Sequence, residues 1–74
     1  MTIGEKIKAC RKLANLTQVK LSEISGVAQS TIAQYENGYM TPSLSQAWLL
    51  ADALGISVDQ FRPDIITDNY NPEA

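Results

Sequence analysis

The sequence predicts an all-α fold of five short helices. Three observations predict it: apolar residues recur at three- and four-residue spacing, Gly26, Gly38 and Gly55 fall where that pattern breaks, and no segment alternates apolar with polar residues as a strand would. At 74 residues the chain has the length of one small domain, expected over residues 1–66 and followed by a flexible acidic tail over residues 67–74.

The first helix is expected from Ile3 to Ala14, because Thr2 and Glu5 have the spacing of a capping box and Ile3, Ile7, Cys10, Leu13 and Ala14 form one apolar stripe. Asn15 tolerates the left-handed conformation that ends a helix, and Thr17 is a good N-cap for a second helix stopping before Gly26. Val27 opens the third, which runs to Glu36 or Asn37 and closes at Gly38. Thr41 with Pro42 reads as an N-cap and first helical residue, starting a fourth helix with Leu44, Ala47, Leu50, Ala51 and Leu54 inward and Gly55 at its end. Ser57 and Gln60 suggest a second capping box, so a short fifth helix is expected over Val58 to Arg62, stopped by Pro63.

Composition removes several function classes. With no His, a single Cys and no clustered carboxylates, the chain offers no ligand set for zinc or calcium, so no metal and no cofactor is expected. The same lack of a His base and of paired acids argues against an enzyme. Cys10 alone cannot form an internal disulfide, which fits a reduced, cytoplasmic setting, and its place on the apolar stripe makes it a core residue. The longest apolar run, Ala47 to Ala51, is far shorter than the ~20 residues a membrane span requires, so no membrane partner is expected. The net charge of −2 is unevenly spread: residues 1–37 carry +2 and residues 38–74 carry −4. That division reads either as ordinary solvated charge or as a weakly basic face backed by an acidic one.

The informative stretch is Gln18 to Tyr35. Leu21, Ile32 and Tyr35 are spaced to pack between two crossing helices, Ser22 is small enough for close approach, and Gly26 permits positive φ in a tight turn. Such a pair turns the outer face of the third helix to solvent. Around it stand Leu16-Thr17-Gln18, Gly26-Val27, Ser30-Thr31-Ile32, Tyr35-Glu36-Asn37-Gly38, Thr41-Pro42, and Ala51 with Ala53-Leu54-Gly55-Ile56. In this order and spacing, from about Ile3 to Phe61, the chain resembles the lambda-repressor-like helix-turn-helix family, which includes lambdoid phage repressors.

That resemblance implies a regulator that binds double-stranded DNA, most simply a repressor acting as a homodimer on a two-fold-symmetric operator, with the third helix in the major groove. Gln29, Ser30, Ala33 and Gln34 match the family's base-reading positions. A Gln amide can pair with adenine N6 and N7, and an Ala can touch a thymine methyl. Gln18 matches a phosphate-contacting position and is placed to brace Gln29; Lys12, Asn37 and Tyr39 are further phosphate candidates. Arg11 and Glu36 match a pair tying the first helix to the end of the third. Val58, Gln60 and Phe61 match dimer-contact positions, with Ile65 and Ile66 able to extend the patch, while core packing fits Phe61 at least as well.

The chain also departs from the family pattern. Ala28 stands where a hydroxyl N-cap is usual, Tyr39 and Met40 occupy a loop that is often basic, and Ile24 replaces a polar residue. These departures keep two other readings open: an antitoxin-like DNA-binding protein whose acidic tail engages a protein partner, and an interaction module that has lost DNA affinity, since the third helix has no Lys or Arg.

Overall fold

A computed structural model describes residues 2–61, and its regular elements are four α-helices and one short 3₁₀ turn, with no strand among the described residues. The helices are α1 (Ile3–Leu13), α2 (Gln18–Ser25), α3 (Gln29–Glu36) and α4 (Leu44–Leu54); the 3₁₀ turn spans Val58–Gln60.

Each start has a local cause. The amide of Glu5 donates to Thr2 Oγ1 at 3.1 Å while the amide of Thr2 donates to Glu5 Oε1 at 3.4 Å, completing the capping box of α1. Asn15 takes φ 59°, and the amides of Asn15 and Leu16 donate back to the carbonyls of Lys12 and Arg11, satisfying groups a helix end leaves open. Thr17 then caps α2 through the amide of Lys20. At Gly26, φ is 80°, a conformation in which a side chain is strained, and the three-residue turn to α3 depends on it.

Packing places α1 against α3, α2 against both α3 and α4, and the 3₁₀ turn against α4. The core between them is Ile3, Ile7, Leu21, Val27, Ile32, Tyr35, Ala47, Leu50, Ala51 and Phe61. One contact is unusually close: a Cβ on Gly4 would lie 1.9 Å from the Tyr35 carbonyl oxygen, so the backbone of α1 rests directly on the last turn of α3.

Several boundaries differ from expectation. Leu13, at the edge of the α1 stripe and in its last turn, is 84% exposed; Ala14 is the exposed C-cap, and Cys10 is half-buried rather than core. Val27 is buried in the turn before α3, whose N-cap Ala28 makes no side-chain hydrogen bond. Pro42 is fully buried, and with its ring in the core the cap of α4 falls on Ser43, whose hydroxyl accepts from the amide of Gln46. The fifth helix is reduced to the 3₁₀ turn: Ser57 Oγ accepts from Asp59 rather than meeting Gln60, so no α-helical ladder starts there. Arg62, Pro63, Ile65, Ile66 and the tail over residues 67–74 lie outside the described residues.

Two glycines therefore separate two physical effects. Gly4→Ala must push α1 off α3 and is expected to cost on the order of 3 kcal/mol. Gly26→Ala meets open space and carries only the left-handed backbone penalty of about 1–2 kcal/mol. Chemical denaturation ranks the two variants; an unchanged midpoint for Gly4→Ala would contradict the close approach.

Candidate nucleic-acid interface

The outer face of α3 is set by what its inner face buries. Ile32 and Tyr35 point into the core, and the helical period then turns Gln29, Ser30, Ala33 and Gln34 to the opposite side. Gln29, Ser30 and Gln34 are exposed and Ala33 is half-buried among them. The four residues thus form one continuous strip, polar and uncharged, with amide, hydroxyl and methyl groups available to a partner.

Holding that strip in place is a nearly dry polar cluster at the other end of α3. Arg11 Nε donates to Glu36 Oε2 at 2.7 Å and Arg11 Nη2 to Glu36 Oε1 at 3.0 Å, a bidentate pair whose side chains are 11% and 2% exposed. Arg11 Nη1 donates to the Leu16 carbonyl at 2.8 Å, fixing the α1–α2 connection. Gln18, at the start of α2, donates from Nε2 to Glu36 Oε1 at 3.1 Å. One guanidinium and one carboxylate therefore join three helices.

The sequence reading anticipated Arg11 beside Glu36 but placed Gln18 apart from them, as a brace for Gln29. In the structure the Gln18 amide nitrogen turns to Glu36 instead. The Leu16 carbonyl was missed altogether, since a backbone acceptor leaves no mark in a sequence. Gly4 was missed too, although a glycine inside a helix is unfavourable unless something needs its missing side chain.

The other residues expected near a ligand are dispersed around α3. Lys12 is exposed in the last turn of α1 and Asn37 is the exposed C-cap of α3. Tyr39 is 81% exposed in the loop that follows, where its amide and that of Met40 both donate to the Gln34 carbonyl at 2.9 and 3.3 Å. Phe61 is a correction: it is fully buried in the core and cannot meet a second subunit. Its ring, with the partly buried Ile56 and Val58, packs the 3₁₀ turn region onto the core. Val58 is half-buried and Gln60 exposed.

Comparison with known proteins places this geometry. The helix-turn-helix family model matches residues 7–61, and the chain belongs to that family. The immunity repressor protein of Bacillus phage phi105 is 47% identical over 58 residues, covering 78% of this chain and 40% of that protein. The chain thus spans less than half the length of that relative. Among solved structures, the master regulator for biofilm formation SinR in complex with DNA superposes with a TM-score of 0.79 at 31% identity, over 82% of this chain and 98% of SinR. The P22 c2 repressor in complex with a synthetic operator superposes with a TM-score of 0.76 at 31% identity, over 82% of this chain and 92% of that one. No helix among the described residues is long and apolar enough to cross a membrane.

Burial alone would push the Glu36 carboxyl upward, but hydrogen bonds from Arg11 and Gln18 and the charges of Arg11 and Lys8 outweigh it, leaving the group below its ordinary value. The Arg11 guanidinium is held above its own ordinary value by its hydrogen bond to Glu36. A carboxyl that titrates lower when folded stabilises the fold fully above the ordinary value of 4.5, and that stability is lost as pH falls through the lower folded value. Glu36→Ala is accordingly expected to cost about 3 kcal/mol or more at neutral pH, because it leaves Arg11 charged and buried without its partner. The stability gap between the native chain and Glu36→Gln should hold constant above about pH 5 and narrow in more acidic solution. Denaturation midpoints across pH check both, and a gap indifferent to acid would remove Glu36 as the titrating group.

Proposed function

We propose that this protein is a sequence-specific DNA-binding transcriptional regulator, a repressor that sets α3 into the major groove. The observation that carries the reading is the strip Gln29, Ser30, Ala33 and Gln34 on the solvent side of a helix held by the Arg11–Glu36–Gln18 cluster. It stands in a chain that superposes on two proteins solved with DNA. Gln29 and Gln34 each bring a donor and an acceptor able to meet adenine bidentately, Ser30 meets either kind of base group, and Ala33 faces a thymine methyl. Gln18, Lys12, Asn37 and Tyr39 meet phosphates and set orientation without reading sequence.

The regulator acts in the cytoplasm as a homodimer on a two-fold-symmetric operator, with half-sites one turn, about 34 Å, apart. Its electrostatics are unusual for the task. Lys20 lies 3.6 Å from Glu23, no cation stands on α3, and the loop after it is uncharged through Ser43. Affinity must therefore draw more on fitted contacts than on counterion release, and the overall charge of −2 offers little long-range attraction.

Selection of bound sequences from random DNA tests the reading. The recovered duplexes are expected to contain an inverted repeat. Gln29→Ala and Gln34→Ala should each flatten the preference by about 1–3 kcal/mol of discrimination, whereas Lys12→Ala should weaken all duplexes alike. With about two or three phosphates neutralised per subunit, log affinity against log salt should fall with a slope of roughly −4 to −5 for the dimer. Equal affinity for preferred and scrambled duplexes, unchanged by removing either glutamine, would overturn the regulator reading in favour of a protein-interaction module.

A further inference from the structure

The chain leaves α3 through a fully bonded terminus. Gly38 takes φ 80°, its amide donates to the Tyr35 carbonyl at 3.1 Å, and the amide of Tyr39 donates to the Gln34 carbonyl at 2.9 Å. These two bonds around a left-handed glycine make a Schellman ending, which fixes the backbone of residue 39 beside Gln34. The Met40 amide reaches the same carbonyl at 3.3 Å, and two residues further on Pro42 is fully buried. The loop is thus held at both ends. Its side chains are nevertheless in water, with Tyr39 81% exposed and Met40 46% exposed. At that exposure the Tyr39 ring adds little to the core. Nor does the loop carry charge, since residues 37–51 include no Lys, Arg, Asp or Glu.

We propose that Tyr39 and Met40 form a non-ionic clamp on the DNA backbone, in which the Tyr39 ring lies on the C–H face of a deoxyribose and Met40 packs beside it. The inference rests on the regulator reading and deepens it by naming what the loop touches. Position selects the backbone. The Gln34 side chain belongs to the α3 strip and its carbonyl anchors the loop, so a duplex that takes the strip into its groove brings the groove wall to Tyr39. Chemistry selects the sugar. That wall alternates charged phosphates with apolar sugar faces, and a loop without Lys or Arg has no cation for the first but has apolar surface for the second. Tyrosine suits the place, because its ring is large and rigid with few torsions to freeze, and the hydroxyl at its tip can donate to an adjoining phosphate. Methionine adapts to an irregular surface. With the backbone already fixed by the Schellman bonds, little further ordering is lost on binding. Such a contact releases no counterions and meets a group common to every nucleotide. It therefore adds affinity that salt does not weaken and that carries no sequence preference.

Binding titrations over a range of salt concentrations, on a duplex selected from random DNA and on its scrambled counterpart, test the clamp. Circular dichroism confirms that each variant folds. Tyr39→Ala should weaken binding by about tenfold at every salt concentration, leaving both the salt slope and the ratio between the two duplexes unchanged. Tyr39→Phe keeps the ring and should stay within about threefold of the native chain, and Met40→Ala should show a smaller loss of the same salt-independent kind. Tyr39→Lys exchanges the sugar contact for an ionic one. Its slope should steepen by about 1 per subunit, so that it binds relatively better in low salt and relatively worse in high salt. A folded Tyr39→Ala variant that binds like the native chain would overturn the clamp, leaving the exposed loop to a protein partner. So would Tyr39→Phe falling as far as Tyr39→Ala, which would assign the contact to the hydroxyl, or a loss confined to the selected duplex, which would make Tyr39 a base reader. Equal native affinity for both duplexes, with Tyr39→Ala still weakening both alike at every salt concentration, would leave the clamp standing and remove the sequence-specific regulator reading instead.

Discussion

The arrangement of the domain depends on where one guanidinium is allowed to sit. Arg11 has too little exposure to be satisfied by water, so its donors must be met by protein, and Glu36 and the Leu16 carbonyl meet them from two different directions. Gln18 meets the same carboxylate from a third. Few relative positions of α1, α2 and α3 satisfy all these partners at once. A buried ion pair is poor evidence of stability, because desolvation offsets much of the attraction, and a matched apolar pair can do as well. What the cluster provides is register: α3 is fixed along its axis and about it, and the orientation of its solvent face follows.

Gly4 works with that cluster. Hydrogen bonds bring α1 and α3 together through long side chains, which alone would tolerate a range of separations. The missing Cβ at residue 4 removes the slack, because the backbone of one helix touches the carbonyl of the other. A directional constraint and a contact constraint therefore act at neighbouring places on the same helix pair.

Much of this was legible in the sequence, for reasons that differ by element. Helix identity came from apolar spacing, and the ends at Thr2, Asn15, Thr17, Gly26 and Gly55 were readable because each is set by one residue's own backbone or cap chemistry. The errors fell where a tertiary contact decides between local options. Thr41 and Ser43 are both acceptable caps, and only burial of Pro42 selects the second. Phe61 fits an exposed dimer patch as well as a core, and the spacing around Val58 cannot tell which. Ser57 with Gln60 matches a capping box, but a 3₁₀ turn pairs the serine hydroxyl one residue earlier. At the site, Arg11 and Glu36 could be paired by resemblance, whereas the Leu16 carbonyl could not, and Gln18 has two plausible partners until the helices are docked.

The strip on α3 shares its helix with the core but not its contacts. Ile32 and Tyr35 pack inward and Glu36 anchors the end, leaving the side chains of Gln29, Ser30 and Gln34 exposed and without hydrogen bonds to other described residues. Substitutions there leave packing intact and stay close to neutral for folding, as surface changes away from special features usually do. The molecule thus separates the residues that define its architecture from those that define its preference. A lineage carrying this fold can exchange one recognition surface for another by a few point changes, passing through intermediates that all remain folded.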